Sequence, residues 1–271
     1  MILAQLRASI RAIIRVFTRG PGPMTPPRAL IDGVGGGEFR AIGEEFLGLF
    51  RQLGGLRPDA RVLDVGCGCG RMAVPLTRYL DGGTYEGFDI VEPAVRWCQE
   101  HVTPRYPAFR FQMADIRNAL YRPDGRDDAT TWPFPYADGA FDFVFLTSVF
   151  THLLPPAQEH YVAEIARVLA DGGVCFATFF LWNDDASARV DAAPHGLRFG
   201  VSGDGYRIVL PSNPEAAVAI PEGHVVARFA RHGLTLAAAP YLGTWCRPSG
   251  TSFQDIVLAR RAAREADVAP Q

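Results

Sequence analysis

The chain has 271 residues, 48% of them hydrophobic and 21% charged, with a formal net charge of -2. That is enough apolar material for one large packed domain or two small ones, and too little positive charge to favour nucleic acid as a partner. All 27 basic residues are arginine, which excludes Schiff-base and lysine-nucleophile chemistry, pyridoxal anchoring and a GxxxxGK[ST] phosphate loop.

Five scattered cysteines, an odd number, make no disulfide framework and fit a reduced, cytoplasmic setting. No apolar run reaches the roughly 18 residues of a spanning helix, and the N-terminus lacks a secretory-signal pattern. Residues 1–19, "MILAQLRASIRAIIRVFTR", have helical periodicity. Leu3, Leu6, Ile10, Ile13, Ile14 and Phe17 fall on one face, and Arg7, Arg11, Arg15 and Arg19 on another. Such a basic amphipathic helix can lie at the periphery of an anionic membrane, or pack on its own domain or on a second subunit as a dimer contact. "GPGPMTPP" (20–27) then ends any helix. The layout is an N-terminal helix and linker over 1–31, a main domain over 32–260 and a frayed tail over 261–271.

Ile42, Phe46, Leu49, Phe50 and Leu53 predict a helix over 41–53. From there short apolar runs at 61–66, 84–90, 109–115, 141–147 and 174–180 read as strands. Helical segments lie between them at 71–80, 92–102 and 157–170. This alternation predicts an α/β domain on a largely parallel sheet. Residues 182–220 interrupt it as a turn-rich inserted cap, within which "LRFGV" and "YRIVL" flank "SGDG" as a hairpin. A helix near 221–232 precedes two apolar runs, 234–242 and 253–260, whose short join "GTWCRPSG" suits a final antiparallel pair.

The stretch "RVLDVGCGCGR" (61–71) places a buried strand directly before three alternate glycines, and "MAVPLTRYL" directly after them reads as a helix. A strand–glycine turn–helix unit brings backbone amides and a helix N-terminus to a ligand. The spacing is GxGxG, not the GxGxxG of dinucleotide turns. A second strand ends at Asp89 in "YEGFDI", where an acid can bind both hydroxyls of a ribose, and a third ends near Asp115 in "FRFQMADI". Singly, Asp64 could be a turn former and Asp89 a helix cap. No carboxylate or cysteine lies at metal-ligand spacing from the histidines, so no metal site is expected.

In this order the motifs resemble those of the class I S-adenosylmethionine-dependent methyltransferases. "LDVGCGCGR" is similar to their first motif, "YEGFDI" to the second and "MADI" to the third. "FDFVFLTSVFTHL" and "EIARVLADGGV" resemble the fourth and fifth. The resemblance spans about residues 38 to 260. It implies a doubly wound, seven-stranded, mostly parallel Rossmann-like sheet with a final antiparallel strand. It also implies S-adenosyl-L-methionine as cofactor and S-adenosyl-L-homocysteine as product. Carried onto this chain, Gly66, Cys67 and Gly68 would lie along the methionine part, with Asp64 holding the turn and helping to receive the amino group. Asp89 would bind the ribose, Ile90 would lie against the adenine, Asp115 would accept from the adenine amino group and Ile116 would pack on the ring or donate its backbone amide. Thr147 and Ser148 would lie near the methionine and the transferred methyl.

His152 in "SVFTHL" is the candidate general base or acceptor-positioning residue. Its alternative is a histidine that bonds the loop backbone. His195, Tyr206 and Arg207 in the cap are candidates to touch the acceptor. The [DN]PP[YFW] turn of adenine-modifying enzymes is replaced by "LTSVF", and no cysteine follows a proline as in cytosine C5 enzymes. The expected acceptor is therefore a small molecule (a sugar, a lipid-linked group or a natural-product intermediate), with O-methylation favoured and no nucleic acid. The alternative is other chemistry on the same cofactor, such as its cyclisation. A nicotinamide oxidoreductase is disfavoured by the GxGxG turn and the absence of lysine.

Overall fold

The structure, a computed structural model, describes residues 24–192 and 197–262. The helix expected over 1–19, His195, and the tail after residue 262 lie outside these residues. The chain divides into two compact units, 1–129 and 130–271.

The first unit contains helices α1 (Arg28–Gly33) and α2 (Phe39–Gln52), strand β1 (Arg61–Val65), helix α3 (Ala73–Leu76), strand β2 (Thr84–Asp89), helix α4 (Glu92–His101) and strand β3 (Phe109–Met113). The strands pair in parallel in the order β3-β2-β1, with Asp64 opposite Gly87 and Asp89 opposite Met113. Helix α2 forms because Phe39, Gly43, Phe46 and Phe50 recur on one buried stripe. Gly43 belongs to that stripe for a steric reason: a Cβ there would stand 2.5 Å from the Arg71 carbonyl oxygen. Four of the five residues of β1 are buried, as a strand covered on both faces requires.

The second unit begins with β4 (Phe141–Leu146), a 3-10 turn at Phe150–His152, α5 (Pro155–Val168) and β5 (Leu169–Trp182). The cap follows with α6 (Asp184–Arg189), a hairpin of β6 (Val201–Gly203) and β7 (Tyr206–Ile208), a 3-10 turn at Pro214–Ala216 and β8 (Val218–Pro221). Helix α7 (Glu222–Arg231), β9 (Leu234–Leu236) and β10 (Asp255–Arg261) close the unit. Strand β4 is parallel to β5, whereas β10 runs antiparallel to both β5 and β9. The result is an α/β fold, mostly parallel in its central strands with a final antiparallel strand. No described helix is long and apolar enough to cross a membrane.

Several expectations need correction. The described residues hold ten strands rather than seven, because the cap is woven into the sheet: β8 pairs in parallel with the end of β5 and carries β7 and β6 beyond it. Only Ala73–Leu76 of the expected 71–80 helix is α-helical, although the Gly70 carbonyl already accepts from Val74. Residues 237–242 continue the pairing of β9 only through Ala237 and Tyr241, since Pro240 between them has no amide hydrogen. Strand β10 runs to Arg261, whose guanidinium donates to the Arg167 and Leu169 carbonyls, so this residue belongs to the strand and not to the expected tail. Helix α1 was not foreseen.

Candidate active site

In the first unit the site is built on the turn after β1. Gly66, Gly68 and Gly70 have φ of 80°, 51° and 78°, backbone that a side chain would strain. The turn is tied to β2. The amides of Gly66 and Cys67 donate to the Phe88 carbonyl at 2.9 and 3.0 Å, and the Gly68 amide donates to Asp89 Oδ2 at 2.7 Å. The other oxygen, Asp89 Oδ1, accepts from Val91 N at 2.8 Å, at the start of α4. Asp89 therefore pins the turn and the residue that precedes the helix at once. Burial raises its pKa, opposed by the amides of Val91, Gly68 and Ile90. Each oxygen keeps a second lone pair for a ligand hydroxyl, and the side chain, like that of Ile90, is only half-buried.

Asp64 is 1% exposed. Its Oδ2 accepts from the Tyr85 hydroxyl at 2.6 Å, and Oδ1 has no partner among the described residues. Burial pushes its pKa up to about 8, opposed by the Tyr85 hydrogen bond and assisted by the Asp89 charge. Cys67 and Cys98 both point their thiols at the Gly68 carbonyl at 3.8 Å. Burial raises both thiols well above the ordinary range and Cys69 to about 12, so these are small space-filling groups rather than nucleophiles. Val34 approaches the place where a Gly68 Cβ would be, at 3.5 Å, and the Arg71 guanidinium donates to the Gly36 carbonyl, so the segment before α2 packs against the turn.

Asp115 lies just past β3. Its Oδ1 accepts from Arg122 Nε at 2.7 Å and its Oδ2 from Arg126 Nε, and these hydrogen bonds lower its pKa. Ile116 is buried and its backbone bridges to Asp127, closing the loop. Within that loop Tyr121 has its hydroxyl raised to about 12 by burial and by the Asp89 charge.

In the second unit, Thr147 and Ser148 follow β4. Ser148 has φ 62°, the one non-glycine residue with positive φ among those described. Its amide donates to Thr178 Oγ1 at 2.7 Å, and its hydroxyl lies 3.2 Å from Thr151 Oγ1 and accepts from Gln254 Nε2 at 2.9 Å. The strained conformation is thus held by three neighbours, a pattern common at functional turns. His152 Nδ1 lies 2.9 Å from the Glu215 carbonyl in the cap. Burial lowers its pKa, with that hydrogen bond in opposition. A neutral imidazole donating from Nδ1 carries its lone pair on Nε2. Glu215 is thus the cap residue bonded to His152. Arg207 instead stacks over Trp182 at 4.2 Å, and the Tyr206 ring covers Gly203, where a Cβ would be 2.2 Å away.

Tyr85, Tyr121, Thr178 and Gln254 escaped the motif reading. Tyr85 was findable, since strand alternation places it on one face with Gly87 and Asp89. Tyr121, Thr178 and Gln254 reach their places through loops and pairings far apart in sequence.

These residues suit an adenosyl amino acid. Asp64 Oδ1 is an unsatisfied buried acceptor of the kind that receives an ammonium group, Asp89 has lone pairs for hydroxyls, and the glycine turn presents bare backbone. The methyltransferase-domain family matches residues 62–173. The phthiotriol/phenolphthiotriol dimycocerosates methyltransferase of Mycobacterium tuberculosis is 30% identical over 139 residues, 51% of this chain and 44% of that protein. The 27-O-demethylrifamycin SV methyltransferase of Amycolatopsis mediterranei is 27% identical over 194 residues, 69% of this chain and 64% of that protein. The chain therefore spans less than two thirds of either relative. The crystal structure of the PH0226 protein from Pyrococcus horikoshii superposes with a TM-score of 0.57 at 18% identity, covering 84% of this chain and 93% of that one. On sequence match and fold together, residues 62–173 match a methyltransferase domain, set in a fold similar to that of a solved S-adenosylmethionine-dependent methyltransferase from Methanosarcina mazei (TM-score 0.53, 18% identity, covering 77% of this chain and 95% of that one).

Proposed function

We propose that the protein transfers a methyl group from S-adenosyl-L-methionine to a hydroxyl of a small, lipid-like or natural-product acceptor. The observation that carries the cofactor half of this reading is the glycine turn pinned by Asp89 through the Gly68 amide at 2.7 Å. Two relatives named for methylating a dimycocerosate lipid and an O-demethyl rifamycin support the acceptor class and the oxygen.

The bound cofactor supplies an electrophilic methyl on sulfur, so the chain's own residues have to position, desolvate and deprotonate. Gly66, Cys67 and Gly68 give backbone to the amino-acid part, and Asp89 holds the ribose hydroxyls. Asp115 keeps a second lone pair on each oxygen for the adenine amino group, and Ile90 lines the ring. Ser148 orients the reacting end of the acceptor from its strained turn. His152, neutral and fixed through Nδ1 by Glu215, takes the hydroxyl proton on Nε2. In this reading residues 32–260 are the catalytic domain and 182–220 its cap, contributing Glu215 directly and Tyr206 and Arg207 through packing.

Incubation with S-adenosyl-L-methionine and a panel of hydroxylated lipids and polyketides, followed by mass spectrometry, tests this. The reading expects S-adenosyl-L-homocysteine together with a product heavier by one methylene unit. Consumption of the cofactor with no acceptor present would instead support its cyclisation.

A further inference from the structure

Among the described residues of the first unit, Asp64 is the buried side chain that keeps an oxygen without a partner. Asp64 and Gly87 are paired across β1 and β2, so their side positions share one face of the sheet. Tyr85, two residues before Gly87, shares that face and is 0% exposed. A Cβ on Gly87 would lie 3.0 Å from the Tyr85 hydroxyl and 2.9 Å from Cys67 Cβ. The absent side chain therefore leaves room for the Tyr85 hydroxyl to lie beside the glycine turn and donate to Asp64 Oδ2. The Tyr85 ring is fixed there by Phe109, stacked at 5.0 Å, and Phe111, tilted at 5.4 Å. Asp64 Oδ1 is left with no donor among the described residues.

A buried carboxylate with one donor is costly to keep ionised, and a neutral carboxyl is the cheaper state. Among the described residues the ionisable groups facing it are Tyr85 and Asp89 from β2, Cys67 from the turn and Cys98 from α4, and none of them is a cation. Among the described residues no cation faces this oxygen, and Arg71, which borders the turn, donates to the Gly36 carbonyl, so the positive group is one a ligand brings. We propose that the Asp64–Tyr85 pair retains a proton in the ligand-free protein and releases it to solvent when the ammonium group of the cofactor's amino-acid part pairs with Asp64 Oδ1. Cofactor binding is thereby coupled to proton release, with Tyr85 as the positioning residue. The inference rests on the cofactor reading above. The bond broken is O–H on Asp64, its proton goes to buffer, and an ammonium–carboxylate pair takes its place. The direction agrees with the upward shift of Asp64, to about 8, in the ligand-free protein.

Calorimetric titration of the full chain with S-adenosyl-L-homocysteine, in two buffers of different ionisation enthalpy, reads the protons directly. With Asp64 at about 8, close to one proton should leave per ligand bound at pH 7, falling towards zero above pH 9. Asp64→Asn, which keeps shape and can still accept from Tyr85, should bind at least about 10-fold more weakly and release no proton of its own. Tyr85→Phe removes a donor that favours the carboxylate, so its release should persist to higher pH than in the wild type. A structural role for Tyr85 would lower stability without moving that profile. Binding with no buffer-dependent heat, or equal release from Asp64→Asn, would overturn the proton coupling while leaving the cofactor reading intact. Absence of any binding by the wild type would overturn the cofactor reading itself.

Discussion

At the scale of single residues, His152 shows how the fold selects between two readings of one side chain. Histidine in "SVFTHL" could bond loop backbone or act as a base, and the structure gives it the first role through Nδ1, which fixes the tautomer needed for the second. Burial holds it neutral at pH 7, since the charged form is the one penalised. The base form is therefore lost only as pH falls through a value below the usual histidine range. The pH profile of kcat/KM should show an acid limb there. His152→Gln should lower kcat by about 100-fold or more and abolish that limb. A variant that keeps both kcat and the limb would leave His152 with packing alone. Asp115 carries the opposite lesson. The acid was visible in "MADI", but Arg122 and Arg126, which engage its oxygens, come from a loop whose closure no local pattern announces.

At the scale of elements, the alternation of strands and helices was plain in the hydrophobic runs because each strand of the parallel core is buried on both faces. The cap was less legible. Strand β8 has four residues, and its pairing with β5 depends on contacts made some forty residues apart. The loop "GTWCRPSG" read only as a join, yet it is held by a fully buried acid. Asp255 accepts from Gly243 N, Leu181 N, Trp245 Nε1 and Arg247 Nη1 at 2.6–3.1 Å. Asp255→Ala leaves four buried donors without their acceptor, among them Nη1 of Arg247, whose Nε keeps the Asp185 pair at 2.7 Å, and should destabilise the protein by about 3–5 kcal/mol in denaturant unfolding. A loss below about 1 kcal/mol would mean that the loop is held otherwise.

Helices α5 and α7 are joined more superficially. Glu159 takes Arg228, Arg231 and His232 at 3.2, 2.6 and 2.7 Å. Burial works against its charge, but these partners outweigh it and hold its pKa down to about 2. Because the folded pKa is depressed, the stabilisation is present above the unfolded value of about 4.3 and is lost as pH falls towards 2. Glu159 is more than a third exposed, so solvent screening reduces the contribution to about 1 kcal/mol. Glu159→Gln should flatten the acid limb of the stability curve in that window, as thermal melts across pH would reveal.

At the scale of the whole molecule, the fold class and the cofactor signature were readable because they rest on ordered local motifs: buried strand, glycine turn, acid at the next strand end. The acceptor was not, because the groups near Ser148 and His152 are assembled from β5, the cap and the segment before β10, where no short motif marks them. The central claim is that the Asp89-pinned glycine turn binds an adenosyl amino acid. Titration calorimetry of S-adenosyl-L-homocysteine against the wild type and Asp89→Ala, each checked for folding by thermal melting, tests it most directly. The account predicts saturable binding to the wild type, weakened in Asp89→Ala by about 1–3 kcal/mol through lost charged hydrogen bonds. Tight binding of NAD in its place, or equal affinity in a folded Asp89→Ala, would contradict it.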